Sequence, residues 1–554
     1  MSIRWRWWAG LSVGLLALAS SAAGIVNAFT YDDVFVIARN PATYDLHAWW
    51  RAFASSYWPK EWSGDGYRPI TILAFKIESA LGGRSPVAFH AANIALYVVA
   101  SLLVLALARR LLPEWAAWVS AAVFAVHPVH VEAVANVVGQ SELLVAIALV
   151  SATILYLRDR EHGDLQPKTI AGIAALYALG CFSKEHAIVL PAILAAAEFT
   201  VIRDPRPLRR RAGNLRFTYL VLTAVAVAFV AVRARVLADH AFGGFAPFTP
   251  FSSLHISARD RMLTAVGVVP EWVRLLFWPA RLSSEYGPPE IEIAQGLSIS
   301  QIPGFALLAG TLWLGFLVRR RQPVISFGVA IAAIALLPSS NFVVPAGIVL
   351  AERTLFLPSV GSVLIVGALA VIVANRLRSR ADQPQIWRAG QLAFAALLIA
   401  GAVKSARRST VWRDNDTLFR RAVVDAPDSY RAHYMLGAWY FENKRKRDGE
   451  AEYRHALHLF PYDPYLSYNM AEQYRSVGLC DAAIPLYKWT QSLDPKFPLG
   501  HTSFASCLLE KGRFDEAKAM AFDAMRYGGD VRVLRRLVFL ADSAKKAEEH
   551  GKAN

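Results

Sequence analysis

"PVAFHAANIALYVVASLLVLALARR", residues 86–110, decides the fold class. From 87 to 108 it holds no Asp, Glu, Lys or Arg, and it closes on Arg109 and Arg110. An α-helix rises about 1.5 Å per residue, so roughly 20 such residues cross the ~30 Å hydrocarbon core of a bilayer. No water reaches backbone N–H and C=O groups there, so the run must close its own hydrogen bonds as a helix. Blocks of the same kind recur near 9–28, 115–134, 137–157, 169–183, 186–203, 217–237, 301–318, 323–342, 354–375 and 389–405. Together they predict an all-α fold, a polytopic membrane helical bundle of about 11 spans. With 55% of its 554 residues hydrophobic, the chain lies outside the composition of a soluble enzyme.

The formal net charge is +16. Surplus arginine marks either a nucleic-acid surface or membrane orientation, and its position separates the two. Arg4 and Arg6, Arg109–Arg110, Arg158 with Arg160, "RDPRPLRRR" (203–211), "RRR" (319–321) and "RLRSR" (376–380) fall in alternate loops. Short cytoplasmic loops collect such residues. The N-terminus is therefore expected in the cytoplasm, the chain in the inner (plasma) membrane, and no nucleic acid as partner. The block 259–280 is interrupted by Pro270, Glu271 and Arg274. It is read as lying in or dipping into the outer interface, because a crossing would put "RRR" outside. The first 24 residues also fit a signal peptide. On either reading Asp32 and Asp33 emerge at the outer face, and so does the chain after 405. Cys181, Cys480 and Cys507 show no CxxC spacing and argue against a disulfide framework or a zinc site. Cys480 and Cys507 can pair only if the fold brings them together.

From about 412 the composition turns soluble and a period of 34 residues appears, with prolines at 427, 461 and 495. "LGAWY" (436–440) aligns with "MAEQY" (470–474) and "FASCL" (504–508). Tyr453 and Tyr487 share a large-residue site, and Ala456 and Ala524 a small one. The pattern is that of tetratricopeptide repeats, helix pairs stacked into an α-solenoid. About three repeats and a capping helix from 530 are expected. Such a stack is a packing or partner surface without catalysis, and its concave groove suits a polypeptide. Two domains result: 1–405 in the membrane, with a first outer loop at 29–86, and 406–554 outside.

Chemistry concentrates in the outer segments. "YDDVFVIARNP" places Asp32 and Asp33 at the mouth of the first span. The bland reading of the pair is a helix cap. "LHAWWRAFASSYWPKEW" (46–62) is rich in tryptophan, which favours the headgroup level. "HPVHVEAVANVVGQSELL" (127–144) carries His127, His130, Glu132 and Glu142. The spacing is not a firm metal-ligand set without a further partner, and a hydrogen-bonded turn explains it equally. "FSKEHA" (182–187) brings Lys184, Glu185 and His186 outside, as solvated charge or as a phosphate-binding lysine. Glu352 and Arg353 enter a span, which is costly unless they pair or serve a site. Carboxylates, cations and imidazoles thus meet at one membrane face, suited to a substrate with a lipid tail, a phosphate and a polar head group.

"YDDVFVIARNP", "YRPITILAFKIESALGGRSPVAFHAANIALY", "HPVHVEAVANVVGQSELL", "SKEHAIVLPAIL", "AERTLFLPSVG", "WRDNDTLFRRAV" (412–423) and the repeats after it resemble, in this order, the transmembrane and tetratricopeptide-repeat-containing family. Its eukaryotic members are O-mannosyltransferases that use dolichyl-phosphate mannose. The resemblance implies a C-type glycosyltransferase membrane fold, an acidic motif at Asp32 and Asp33, an arginine at Arg68 and a Glu-Arg pair at Glu352 and Arg353. Two departures stand out: the repeats are few, and Gln140 stands where the family pattern has arginine. The short array looks bacterial, so the expected donor is a polyprenyl-phosphate sugar and the expected acceptor a polypeptide.

The implied reaction is a single, inverting displacement. Asp32 or Asp33, with Asp32 favoured, takes the acceptor's proton. Arg68, Lys184 and Arg353 stabilise the leaving phosphate. Glu185, Glu352, His127, His130 and Glu142 complete the expected donor-binding set. No metal is required, although a divalent ion is compatible with the scheme. Competing readings are a transporter or flippase for lipid-linked sugars, a scaffold anchoring the repeats, and a same-fold transferase acting on a glycan or lipid. The spans show no internal repeat of the transporter kind, and a scaffold needs only one span.

Overall fold

The computed structural model describes residues 3–59, 66–238, 256–378, 384–495, 497–527 and 530–552; among these it is helical with no strand. It divides into two compact units. One is formed by 1–246, 262–284 and 296–421, the other by 247–261, 285–295 and 422–554.

The first unit is a multi-pass membrane bundle. Its helices are α1 (Ile3–Ser21), α2 (Pro69–Gly82), α3 (Pro86–Leu111), α4 (Glu114–Ala125), α5 (Val131–Ala135), α6 (Gln140–Arg160), α7 (Pro167–Ser183), α8 (Leu190–Thr200), α9 (Leu208–Leu237), α10 (Ala258–Phe277), α11 (Ile302–Val318), α12 (Pro323–Leu336), α13 (Phe356–Arg378), α14 (Pro384–Ser409) and α15 (Asn415–Asp425). Proline opens α2, α3, α7 and α12, where its missing N–H would have no intrahelical partner anyway.

Among the described residues, seven helices are long and apolar enough to cross a membrane: Trp7–Val26, Pro86–Leu111, Val137–Arg160, Leu215–Leu237, Ile299–Val318, Glu352–Leu377 and Gln385–Trp412. The pair Glu114–Ala125 and Pro128–Ala135, bent by 47°, makes an eighth when taken as one broken span. These eight cover the expected spans 9–28, 87–108, 115–134, 137–157, 217–237, 301–318, 354–375 and 389–405. The other three, 169–183, 186–203 and 323–342, fall on α7, α8 and α12, of 17, 11 and 14 residues. α8 follows directly on the turn Glu185–Val189, and α12 runs on to Ser339 as a shorter apolar helix. The block 259–280 forms α10, whose Glu271 pairs with Arg274.

Small residues let the helices close on one another. Gly328 of α12 and Gly361 of α13 face each other so tightly that a Cβ on either would collide with the other's carbonyl oxygen. Ala117, Ala121, Ala125, Ala146, Ala148 and Ala152 share one buried core with Tyr97, Leu105, Leu149 and Phe356. In a bilayer, association rests on such close packing rather than on expulsion of water.

The first outer loop folds as short turns at Val34–Ala38, Pro41–Tyr44 and Trp49–Ala54. It is tied down by polar contacts to α2. The ammonium of Lys76 donates to the carbonyls of Ala42 and Asp45, at 2.5 and 2.7 Å. The Ser79 hydroxyl donates to Thr43 O at 3.1 Å. Trp49 and Trp50 stay exposed, as headgroup-level tryptophans should.

The second unit holds three helix hairpins and a closing helix: α16 (Tyr430–Glu442) with α17 (Lys446–Leu459), α18 (Pro464–Ser476) with α19 (Cys480–Leu493), α20 (Pro498–Glu510) with α21 (Phe514–Arg526), and α22 (Val531–Lys552). The hairpins begin at 430, 464 and 498, the expected 34-residue period. Leu436, Met470 and Phe504 are buried, and so are Tyr453, Tyr487, Ala456 and Ala524. The fold does bring Cys480 and Cys507 together, in a disulfide between the second and third hairpins.

Candidate active site

The two aspartates have different surroundings. Asp33 is fully buried. Its Oδ1 accepts the backbone N–H of Val138 at 2.8 Å and its Oδ2 that of Val137 at 3.1 Å, with Thr30 N–H at 3.4 Å. The next residue, Gly139, turns back so sharply that a Cβ there would strike the backbone of Ala133. Burial pushes the Asp33 carboxyl up to about 7, although the amides of Val138, Val137 and Thr30 oppose it. The helix-cap reading does not hold for Asp33: the turn Val34–Ala38 begins without a side-chain cap bond.

Asp32 keeps 19% of its side chain accessible and lies 3.6 Å from Arg353 Nη2. Just before it, Tyr31 adopts φ 54°, a left-handed conformation that costs a non-glycine residue about 1–3 kcal/mol. Residues from the far end of the unit hold that strain in place. The side chain of Asn415 accepts Tyr31 N–H at 2.9 Å, and Arg413 O accepts Ala28 N–H at 2.8 Å.

Around Asp32 the cations and carboxylates interlock. Arg353 donates its backbone N–H and Nη1 to the two oxygens of Glu132, at 2.9 and 2.7 Å. Lys184 Nζ donates to Glu142 Oε1 at 2.5 Å, and His186 Nε2 lies 3.3 Å from Glu142 Oε2. Arg68 grips Glu185 through Nε and Nη2, at 3.1 and 3.3 Å, and Arg233 Nη1 lies 3.8 Å from the same carboxylate. The ring of Tyr57 faces the Arg68 guanidinium at 4.6 Å. Lys184 is within electrostatic reach of both Arg68 and Arg353, which makes these pairs one cluster. Burial lowers the Lys184 ammonium, opposed by Glu142. Burial alone would raise Glu185, but Arg68 and Arg233 outweigh it and hold the carboxyl well below its ordinary range.

Asp32, Arg68, Glu142, Lys184, Glu185 and Arg353 are thus brought together, with Asp33 buried next to Asp32. His127, His130 and Glu352 are directed elsewhere. His127 contacts Leu276 O and Val129 N–H. His130 is held between Tyr97 Oη and the Ser359 hydroxyl, at 3.1 and 2.8 Å. Glu352 is buried and accepts Ser283 N–H at 2.7 Å, so the Glu-Arg pair diverges. Among the described residues no group of three or more His, Cys, Asp or Glu is arranged to hold a metal ion. Gln140 donates to Glu78 Oε1 at 2.5 Å and to Asn93 Oδ1 at 3.0 Å, a buried polar knot below the site.

Residues 69–234, the stretch from α2 through α9, match the family described as dolichyl-phosphate-mannose-protein mannosyltransferase. The mouse protein O-mannosyl-transferase TMTC3 is 24% identical over 497 residues, 84% of this chain and 53% of that protein. Human protein O-mannosyl-transferase TMTC4 is 27% identical over 78% of this chain and 63% of that protein. The chain is similar to protein O-mannosyl-transferases over most of its length. The Drosophila melanogaster O-mannosyl-transferase Tmtc2 is 32% identical over 275 residues, 47% of this chain and 28% of that protein. The chain spans about half the length of the TMTC3 relatives it matches. Among solved structures, the oligosaccharyltransferase AglB of Archaeoglobus fulgidus aligns at a TM-score of 0.41 and 16% identity, covering 83% of this chain and 61% of that one.

Tyr57, Glu132 as the partner of Arg353, Arg233 and Asn415 are absent from the set expected from sequence. Arg233 had a signal: it lies inside the apolar run 217–237, where a charge is costly without a role. Asn415 had none, since its contact joins residues 384 positions apart.

Proposed function

We propose that this chain is a membrane glycosyltransferase. It moves a sugar, mannose by its relatives, from a polyprenyl-phosphate donor to a hydroxyl acceptor, a protein serine or threonine, at the outer face of the membrane. The observation that carries the reading is the division of labour in the acidic pair. Asp33 is locked to two backbone amides, and Asp32 is left accessible beside Arg353.

In the reaction, Asp32 takes the acceptor's hydroxyl proton as the oxygen attacks the anomeric carbon. The bond from that carbon to the phosphate oxygen breaks, and the phosphate leaves with the electron pair. Arg353, Lys184 and Arg68 neutralise the growing charge. Asp33 acts through the backbone, fixing the loop that presents Asp32. The second unit serves as the acceptor's holding surface on the extracytoplasmic side, and its disulfide suits an oxidising compartment.

The test is the intact mass of envelope and secreted proteins from cells with and without the gene, complemented by the wild type or by Asp32→Asn. A hexose-sized mass on particular proteins should disappear with the gene and stay absent with Asp32→Asn. The loss of a general base costs on the order of 100-fold or more in rate. Unchanged masses in the deletion rule out a protein acceptor, and full activity of Asp32→Asn rules out the base.

A further inference from the structure

Two arginines of the cluster hold an anion that the chain itself supplies. Glu185 lies between Arg68 and Arg233, with both guanidinium groups directed at Oε1. It differs from the other carboxylates in accessibility. Its side chain is 36% exposed, against 3% for Glu132 and Glu142. Those two are buried against their cations, whereas Glu185 has room to leave. Tyr57 covers one face of the Arg68 guanidinium, so the arginine stays in place when its partner moves.

The neighbourhood fits a lipid phosphate. Arg233 lies near the C-terminal end of α9, the helix on which Phe217, Leu220, Val227 and Val232 are exposed. Arg233 itself lies on the inward stripe of α9 with Leu222 and Phe229, so a lipid phosphate reaches Arg233 and Arg68 from the side on which Glu185 is exposed. There it meets a carboxylate already bound in the geometry an anion prefers, forked onto one arginine and near a second.

We propose that Glu185 is a displaceable internal anion: it occupies the seat of the donor's phosphate, swings out when donor binds, and returns to expel the polyprenyl phosphate left after transfer. This rests on the glycosyltransferase reading above. The chemistry gives the return step a purpose. The donor is a phosphodiester with one negative charge. The product is a phosphomonoester whose second ionisation lies near pH 6, so it approaches two charges at neutral pH. Two arginines would hold the product more tightly than the donor, and a competing carboxylate weakens the hold on both, so that the product is released.

The experiment uses the full chain in detergent micelles and a fluorescent long-chain polyprenyl phosphate without sugar. Wild type should bind it. Glu185→Gln, which keeps the shape and loses the charge, should bind on the order of tenfold more tightly. It should also turn over more slowly and be inhibited by product at lower concentration. Arg233→Gln should bind more weakly than wild type. Equal or weaker binding by a folded Glu185→Gln, with wild-type binding intact, overturns this inference alone. If that variant does not fold, the charge-balanced Arg233→Gln, Glu185→Gln chain replaces it. It should bind more tightly than Arg233→Gln alone, and failure to do so is equally decisive. No binding by the wild type overturns the donor reading, and this inference with it.

Discussion

Asp32 and Asp33 are neighbours in the chain with opposite environments, and this has a pH signature. The Asp33 carboxyl titrates near 7 in the folded protein against an ordinary value of 3.8. Between those values the folded state binds more protons than the unfolded state. Stability therefore falls as pH rises from about 4 to about 7. Glu78, pushed up to about 8 by burial, adds to the same slope. Thermal melts across pH 5 to 8 should show the melting temperature of wild type dropping, and Asp33→Asn should flatten part of that drop. An identical slope in both chains would refute the buried charge. The acidic pair itself was legible in the sequence, because two carboxylates at the mouth of an apolar run are conspicuous. Which of the two is accessible was not, since that depends on the amides of Val137 and Val138, more than 100 positions away. The surroundings of His127 and His130 were hidden for a related reason. Residue type suggests a ligand, while burial and the partners Leu276, Tyr97 and Ser359 decide their use.

Helices were the most readable level, because apolar runs at membrane length admit one backbone conformation. The runs on α7, α8 and α12 share that composition and differ from the seven long helices in length. What composition cannot show is how closely two helices approach. Valine at Gly361 would push α12 and α13 apart at the Gly328 crossing. Overpacking of this kind costs typically 1–3 kcal/mol. A lower melting temperature for Gly361→Val than for Gly390→Val, whose Cβ meets nothing within 4 Å, is the expected result. The segment after α14 makes a second prediction. Asn415→Ala removes the bond that holds Tyr31 in its left-handed conformation. Transfer should drop, with the loss in kcat rather than KM, because Asn415 touches no substrate. A pure KM effect would place it in binding instead.

Across the whole chain, the disulfide between Cys480 and Cys507 closes a loop of 27 residues. A loop of that size contributes about 3.5 kcal/mol by restricting the unfolded chain. Cys480→Ser with Cys507→Ser should lower the denaturation midpoint of the repeat unit while the membrane unit's transition stays put. Fluorescence of Trp439 and Trp489, with the other Trp residues replaced, follows the repeat unit, and the unaltered Trp set of the first unit with Trp439 and Trp489 replaced follows the membrane unit. A shift in neither transition would mean the cross-link adds nothing.

Stacked hairpins normally fray one at a time from the ends, because each touches only its neighbours. The bridge lies between the second and third hairpins, with Cys480 on α19 and Cys507 on α20. Oxidised, those two hairpins should open as a single cooperative block. Amide exchange across 464–526 should collapse to one opening free energy instead of a gradient towards α22. Anything resting on that block would then meet an unyielding floor, with give only towards the ends of the stack.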